Sequence, residues 1–504
     1  MSLSSCRKGS EKRAKCKKKT VFSFCIPEMP PTLAESKLQK QAYADLHVSC
    51  LTRQVLRHES AIYGIFLSQN HCFNGCLEKK NCNDLCKFAI RLQICIDFLL
   101  QFQIIAVTLW PHIHFISSME YISRDIENII IEMARYFQVV VVTGPRQSGK
   151  TTLIQHLFAH YACFSLEDLN VRELASSDPV AFLRQNEQGM IIDEVQRVPE
   201  LMSYIQGIVD REPDKRFVLS GSSNFAMLRS VSQSLAGRAA VLELLPLSMN
   251  EVSSQLQSKS LDQLMFDGLY PAVCAGKNLA QYVYPAYAKT YLERDVRDLL
   301  HVTDMMAFER FLRLCAARIG SLFVASQLAN EVGVAVNTVK SWLSVLQASY
   351  VITMLPPYYE NTTKRLIKTP KLYFCDTGLA CYLLDIESPQ QLARDKMRGA
   401  LFENLIVMEA IKSRLNVGKQ PNAYFYRDSN QNEIDLILKR GEALTGIEIK
   451  SSMTYHKDFE RTVRCMDNYV KSAIAERAVV YAGELENTVG KVKLLNYSHL
   501  QTIL

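Results

Sequence analysis

The stretch GPRQSGKTT, residues 144–152, fits the pattern G-x-x-x-x-G-K-[ST] and directly follows the apolar run FQVVVVT, residues 137–143. A buried strand feeding such a loop predicts a phosphate cradle. Gly144 and Gly149 let the backbone turn with its N–H groups inward, and Lys150 supplies a cation for β- and γ-phosphates. Thr151 offers a hydroxyl to Mg²⁺, while Pro145, Arg146, Gln147, Ser148 and Thr152 complete the loop. The helix-like TTLIQHLFAHY that follows is the expected partner of a strand–loop–helix unit, so the chain is expected to bind ATP with Mg²⁺.

About forty residues on, GMIIDEVQRVPEL places the short apolar run Met190, Ile191 and Ile192 before Asp193 and Glu194. At this distance from a phosphate loop the pair reads as a strand end in which Asp193 holds the metal and Glu194 polarises the attacking water. Two adjacent acids in a solvated loop are the plain alternative. A third apolar run, in RFVLSGSSN, ends in polar groups where a parallel sheet presents its ligand side. Asn224 is the better candidate to sense the γ-phosphate and Ser222 its rival, against an ordinary Gly/Ser turn.

Next comes SQSLAGRAAVLELLPLS, with Gly237 and Arg238 between a helix and a strand. Taken together, GPRQSGKTTL, IIDEVQ, LSGSSN and SLAGRA resemble bacterial and archaeal AAA-type ATPases whose C-terminal half carries a winged helix and a PD-(D/E)XK nuclease-like domain. The resemblance covers residue 119 to the C-terminus. It implies that Arg238 is an arginine finger or sensor, acting in its own subunit or in a neighbour of a homo-oligomer. A surface salt bridge is the alternative for that residue.

The length of 504 residues predicts three or four domains, and 48% hydrophobic with 22% charged residues is ordinary for a globular protein with a sizeable core. The net charge of +7 allows a nucleic-acid partner without requiring one. Within the first nineteen residues Arg7, Lys8, Lys12, Arg13, Lys15, Lys17, Lys18 and Lys19 face Glu11 alone, a run expected to be disordered. Nine of the fifteen cysteines fall in the first 95 residues; Cys72, Cys76, Cys82 and Cys86 have i/i+4 spacing, which any helix also produces, so zinc is the weaker reading. Asp97, Gln101 and Gln103 interrupt the apolar segment 94–110, and the basic N-terminus leads to no signal-peptide core. A membrane partner is therefore not expected, and the cytoplasm is the expected location. Residues 1–118 read as an unusual extension or a misassigned start.

Residues 251–320 have helical spacing of apolar and charged positions; Glu293, Arg294, Asp295 and Arg297 read as a solvated helix face. SQLANEVGVAVNTVKSWLSVLQASYVI, residues 326–352, reads as helix, Gly333 turn and second helix, with Val339, Trp342, Leu343 and Leu346 inward. Two strands around Asn361, Thr362 and Thr363 then make the unit a winged helix. Asn337, Thr338, Lys340 and Ser341 on the second helix and Lys364, Arg365 and Lys368 on the wing are candidate DNA phosphate contacts, although winged helices also dock proteins.

The last region reads as αβββαβ: a helix over residues 399–415, three strands, a helix around residues 459–469, and a strand. Glu403 on the first helix, Asp435 on the second strand, and Glu448 and Lys450 on the third resemble the PD-(D/E)XK nuclease core. Residues two apart on a strand share a face, so Glu448 and Lys450 point together and Asp435 can join them around one Mg²⁺; without a cation the two carboxylates are expected to repel.

The expected fold is α/β: a P-loop NTPase parallel sheet over residues 119–255, a helical lid at 256–320, a winged helix at 321–375 and a nuclease-like domain at 395–504. The favoured function is an ATP-hydrolysing AAA-type machine acting on nucleic acid. A DNA-binding ATP switch with little turnover and an ATP-gated metal-dependent nuclease stay open beside it.

Overall fold

Strand β1 (Val139–Thr143) is buried along its full length, and its alternate valines serve two different layers. Val140 and Val142 pack under helices α1 (Glu127–Tyr136) and α2 (Lys150–Leu157), together with Ile130, Leu153 and Ile154. Val139 and Val141 face the opposite layer, where helix α3 (Leu201–Val209) supplies Leu201, Met202 and Ile205. A strand buried on both faces reads as a continuous apolar run, as VVVV does.

Around β1 stand β2 (Ala162–Ser165), β3 (Gly189–Asp193), β4 (Arg216–Gly221) and β5 (Ala239–Glu243), all parallel, in the order β2-β3-β4-β1-β5. The carboxyl ends of β1, β3 and β4 therefore lie side by side, where ligands of open parallel sheets bind. The structure is a computed structural model that describes residues 121–222, 234–276, 279–292, 304–359 and 368–504. Asn224, Lys364, Arg365, the 361–363 tip, the face of Glu293, Arg294, Asp295 and Arg297, and every reading made for residues 1–118 lie outside the described residues.

Short helical segments recur between residues 253 and 274 and again from residue 280 to 292. Helices α4 (Met305–Ala316), α5 (Ala325–Val332) and α6 (Val336–Ala348) follow, and Gly333 closes α5 in the left-handed conformation, φ +82°. Val339, Trp342 and Leu346 of α6 face inward, and Phe308 and Phe311 of α4 meet the Trp342 ring at 5.3 and 5.4 Å. An antiparallel pair comes next, β6 (Ile352–Leu355) with β7 (Lys371–Phe374).

Helix α7 (Arg398–Leu415) leads into β8 (Ala423–Arg427), β9 (Glu433–Arg440), β10 (Ala443–Lys450) and β11 (Ala473–Tyr481). The mixed sheet also carries a hairpin that the sequence reading omitted, β12 (Asn487–Val489) with β13 (Val492–Asn496), in the order β12-β13-β11-β10-β9-β8. The helix expected around residues 459–469 is broken into the short pieces Lys457–Glu460, Arg461–Arg464 and Met466–Asn468. The break lets Met466 descend onto Gly446 of β10, where a Cβ would stand 2.4 Å from its sulfur.

One hydrophobic core runs from Leu245 through α4–α7 to Ile503, so the lid segments, the helix pair and the C-terminal sheet share a single interior. Among the described residues no helix is long and apolar enough to cross a membrane.

Candidate functional site

The loop after β1 is shaped by what its glycines permit. Gly144 has φ +153°, and a Cβ there would lie 2.1 Å from the Leu244 carbonyl oxygen, so the loop passes too close to the β5 exit for any side chain. Gly149 has room around it but φ +90°, which glycine alone adopts without strain as it opens α2. Lys150, 5% exposed, donates to the carbonyls of Gly144 at 3.0 Å and Pro145 at 2.7 Å. Burial pushes its ammonium down to about 8, against the opposing pull of Glu194 and Asp193. The loop carbonyls hold the cation where phosphate oxygens would otherwise meet it.

Thr151 Oγ1 lies 3.1 Å from both carboxylate oxygens of Asp193, which is buried at the end of β3 and also accepts from Ser220. A hydroxyl and a carboxylate side by side at the mouth of the loop form a donor set that fits Mg²⁺. Glu194 follows with φ +55°, a left-handed conformation uncommon outside glycine. Its Oε2 accepts from Gln196 Nε2 and, at 3.0 Å, from Ser222 Oγ. Ser222, proposed from sequence as a rival phosphate sensor, is thus engaged with Glu194.

These groups border a cavity of about 600 Å³. Its lining combines the polar Arg146, Gln147, Lys150, Thr151, Thr152 and Glu194 with the apolar Ile122, Leu247, Pro271, Ala272 and Ala275, the mixture a phosphate chain and a flat base call for. Pro145 and Ser148 of the loop are buried, and among the described residues the Ser148 hydroxyl has no partner. Arg146 approaches Glu167 at 3.8 Å. Sequence reasoning missed Arg124, which is 6% exposed and ties three strands of chain together: its guanidinium donates to the Ser148 carbonyl at 2.9 Å, the Leu245 carbonyl at 2.8 Å and Glu251 at 2.9 Å. The signal available was an arginine just ahead of the first apolar helix, which looks like any surface charge.

Arg238 does not border this cavity. It forms a bidentate pair with Asp210 at the surface, at 2.5 and 3.0 Å.

In the C-terminal sheet, Leu436 of β9 pairs with Ile447 of β10, which sets Asp435 beside Glu448. Lys450 Nζ lies 2.6 Å from Glu448 and 3.5 Å from Asp435, and Asp435 also accepts from the Ile449 N–H at 2.8 Å. Glu403 reaches the same neighbourhood from α7, but it accepts from Lys371 at 2.9 Å and Tyr373 at 2.5 Å. Burial and the nearby Asp435 raise the Glu403 carboxyl above its ordinary range, against Lys371. The same two causes push Glu448 up to about 8, against Lys450, and its Oε2 is buried without a partner among the described residues.

The expected repulsion between Asp435 and Glu448 persists in the raised Glu448 carboxyl, and Lys450, paired with both carboxylates, offsets part of it. Lys371, 1% exposed, adds a second counter-charge by joining Glu403 to Glu433 at 2.6 Å. Among the described residues no three His, Cys, Asp or Glu side chains converge as a metal-holding group; Lys450 and Lys371 are the cations that offset part of the acids' charge. Lys371 was legible only as a lone charge in the apolar strand KLYF.

Of the candidate nucleic-acid contacts, Asn337 and Lys340 are exposed on α6, Thr338 is half-buried there, and Lys368 is exposed ahead of β7.

Residues 136–253 match the family described as AAA domain, residues 258–390 a domain of unknown function (DUF8612), and residues 398–500 a domain of unknown function (DUF4143). The uncharacterized protein Rv2008c of Mycobacterium tuberculosis is 33% identical over 353 residues, covering 69% of this chain and 77% of that protein. The uncharacterized protein MJ1544 of Methanocaldococcus jannaschii is 21% identical over 349 residues, covering 63% and 75%. Among solved structures, the Walker-type ATPase PABY2304 of Pyrococcus abyssi aligns with a TM-score of 0.37 at 12% identity, over 53% of this chain and 97% of that one. With the phosphate loop, the parallel sheet and the AAA domain on the same residues, the chain belongs to the family that includes Rv2008c and is an AAA-domain P-loop ATPase.

Proposed function

We propose that the chain hydrolyses ATP at the cavity behind β1 and uses the cycle to drive or gate an action of its C-terminal half on nucleic acid. The observation that carries the reading is the meeting of Lys150, Thr151, Asp193 and Glu194 at the ends of β1 and β3, with Thr151 3.1 Å from both Asp193 oxygens. Lys150 and the loop N–H groups hold the phosphates, Thr151 and Asp193 hold the metal, and Glu194 takes the proton of the attacking water. Magnesium, when bound, supplies positive charge that offsets the charge on the phosphate oxygens. Arg238 serves as a finger only if a neighbouring copy presents it, since in its own chain it is paired with Asp210. ATP as the substrate makes the cytoplasm the natural location.

What supports the nucleic-acid arm is that Asn337, Lys340 and Lys368 are exposed on α6 and ahead of β7, where a winged-helix reading would put phosphate contacts. ATP turnover with and without duplex DNA, across a salt series, tests it. Stimulation that weakens with salt is expected, and a rate indifferent to DNA contradicts that arm while leaving ATP hydrolysis standing.

The nuclease reading is favoured by one observation, the buried Glu448 Oε2, unpartnered among the described residues, beside Asp435 and Lys450. DNA and RNA incubated with Mg²⁺ or Mn²⁺ are cut by wild type and spared by Glu448→Ala and Lys450→Ala if it holds. Identical substrate in every arm removes it.

A further inference from the structure

Glu194 is the proposed base, yet its backbone conformation does not hold its carboxylate in place. With φ +55° it leaves β3 in a left-handed turn, so the direction of the side chain depends on what grips it beyond the strand. The next residues, Val195–Arg197, form a single 3-10 turn closed by the Arg197 N–H on the Glu194 carbonyl at 3.0 Å and the Val198 N–H on the Val195 carbonyl at 3.1 Å. Val195 is fully buried and Val198 is 3% exposed, both in the core beneath the sheet, so the turn is pinned at both ends. Residue 196 lies between the two anchors and swings back toward Glu194.

We propose that Gln196 is a positioning residue for ATP hydrolysis, holding the Glu194 carboxylate in its working orientation by donating to Oε2. The inference rests on the ATPase reading above. Gln196 Nε2 and Ser222 Oγ converge on that one oxygen, and the two donors also lie 3.4 Å from each other. With Oε2 committed to both, Oε1 is the oxygen to accept a proton from water. Gln196 Oε1 is buried with no hydrogen-bond partner among the described residues, so the side chain is oriented through its Nε2, by the Glu194 carboxylate and the Ser222 hydroxyl. Glu194 borders the cavity and Gln196 does not, so Gln196 acts through Glu194 and does not touch the nucleotide.

Because the amide's two partners are the carboxylate and the Ser222 hydroxyl that also holds it, its removal is expected to affect the chemical step and spare binding. The full chain carrying Gln196→Met, close in size but without a donor, is expected to lose about tenfold in kcat while its affinity for ATP stays within about twofold of wild type. Gln196→Met with Ser222→Ala, which strips both donors, is expected to fall to the rate of Glu194→Gln. An unchanged kcat in Gln196→Met overturns the inference, as does a fall in kcat matched by an equal loss of ATP affinity or by a lowered Tm. Wild type that binds ATP without turning it over contradicts the ATPase reading itself, so the two failures are distinguishable.

Discussion

Gly144 shows how one residue sets the geometry of the nucleotide cavity. Its missing side chain lets the loop run against the Leu244 backbone, with the Leu244 N–H donating to the Thr143 carbonyl at 2.7 Å. Gly144→Ala places a Cβ 2.1 Å from a carbonyl oxygen that is part of the sheet edge and cannot swing aside. The expected outcome is a loss of about 2–3 kcal/mol in unfolding free energy and severely weakened ATP binding. Chemical denaturation and a titration with ATP check both; native stability with native affinity contradicts the account of the loop. Gly149 differs, since its φ and not its space demands glycine, so Gly149→Asn is tolerated better than Gly149→Val.

Strand β7 and helix α7 show the same logic at the scale of elements. Lys371 lies in the all-buried strand KLYF and holds Glu403 of α7 and Glu433 of β9, whose side chains are 19% and 26% exposed. Lys371→Met strips Glu403 of its cation while Glu433 keeps Arg427 at 3.1 Å, and about 3 kcal/mol of stability should be lost. Adding Glu403→Gln should recover part of it, because a neutral amide needs no counter-charge. Equal stability of wild type and Lys371→Met in denaturant contradicts this role. Much of this region was legible: E-x-K on an alternating strand placed Glu448 and Lys450 on one face, and the pairing of Asp435 followed. Lys371 was not, because an apolar strand gives no hint that its one charge is turned inward. The broken segment after β10 was not legible either, since Val463, Met466 and Val470 keep helical spacing while the chain bends to reach Gly446. Gln196 and Arg124 escaped the sequence for a related reason: each acts through a fold-dependent neighbour, Glu194 for one and the Ser148 carbonyl for the other.

Across the whole molecule, the ATPase sheet is joined to the C-terminal half by polar contacts that originate next to the nucleotide cavity. Thr143, the last residue of β1, shares a 2.7 Å hydrogen bond with Tyr350 at the end of α6. Beyond β5, the Met249 N–H donates to Glu409 at 2.8 Å and Lys412 donates to the Leu247 carbonyl at 2.8 Å, both partners belonging to α7. Glu409 is fully buried, and burial holds its carboxyl above the ordinary range, against Lys412 and the Met249 N–H. A raised carboxyl stabilises most when protonated: its contribution is complete below the ordinary carboxylate pKa and is lost as pH rises through the raised value. Glu409→Gln has no such titration, so its stability relative to wild type should improve steadily as pH rises from the ordinary carboxylate range. Unfolding free energies across that series check the sign; a difference independent of pH contradicts it. The phosphate loop, the acid pair and the parallel sheet were readable from sequence because each depends on local spacing. The seam was not, because Tyr350 in the turn after α6 and Glu409 and Lys412 on α7 carry no local signal until the fold brings them to the β1 and β5 exits. The central claim is that this chain turns over ATP at the loop of residues 144–152. It is tested most directly by steady-state hydrolysis of Mg-ATP by the full chain beside Lys150→Ala. The account predicts turnover by wild type that falls to background in the variant; equal turnover by the two proteins, or none by a wild type that binds ATP, would contradict it.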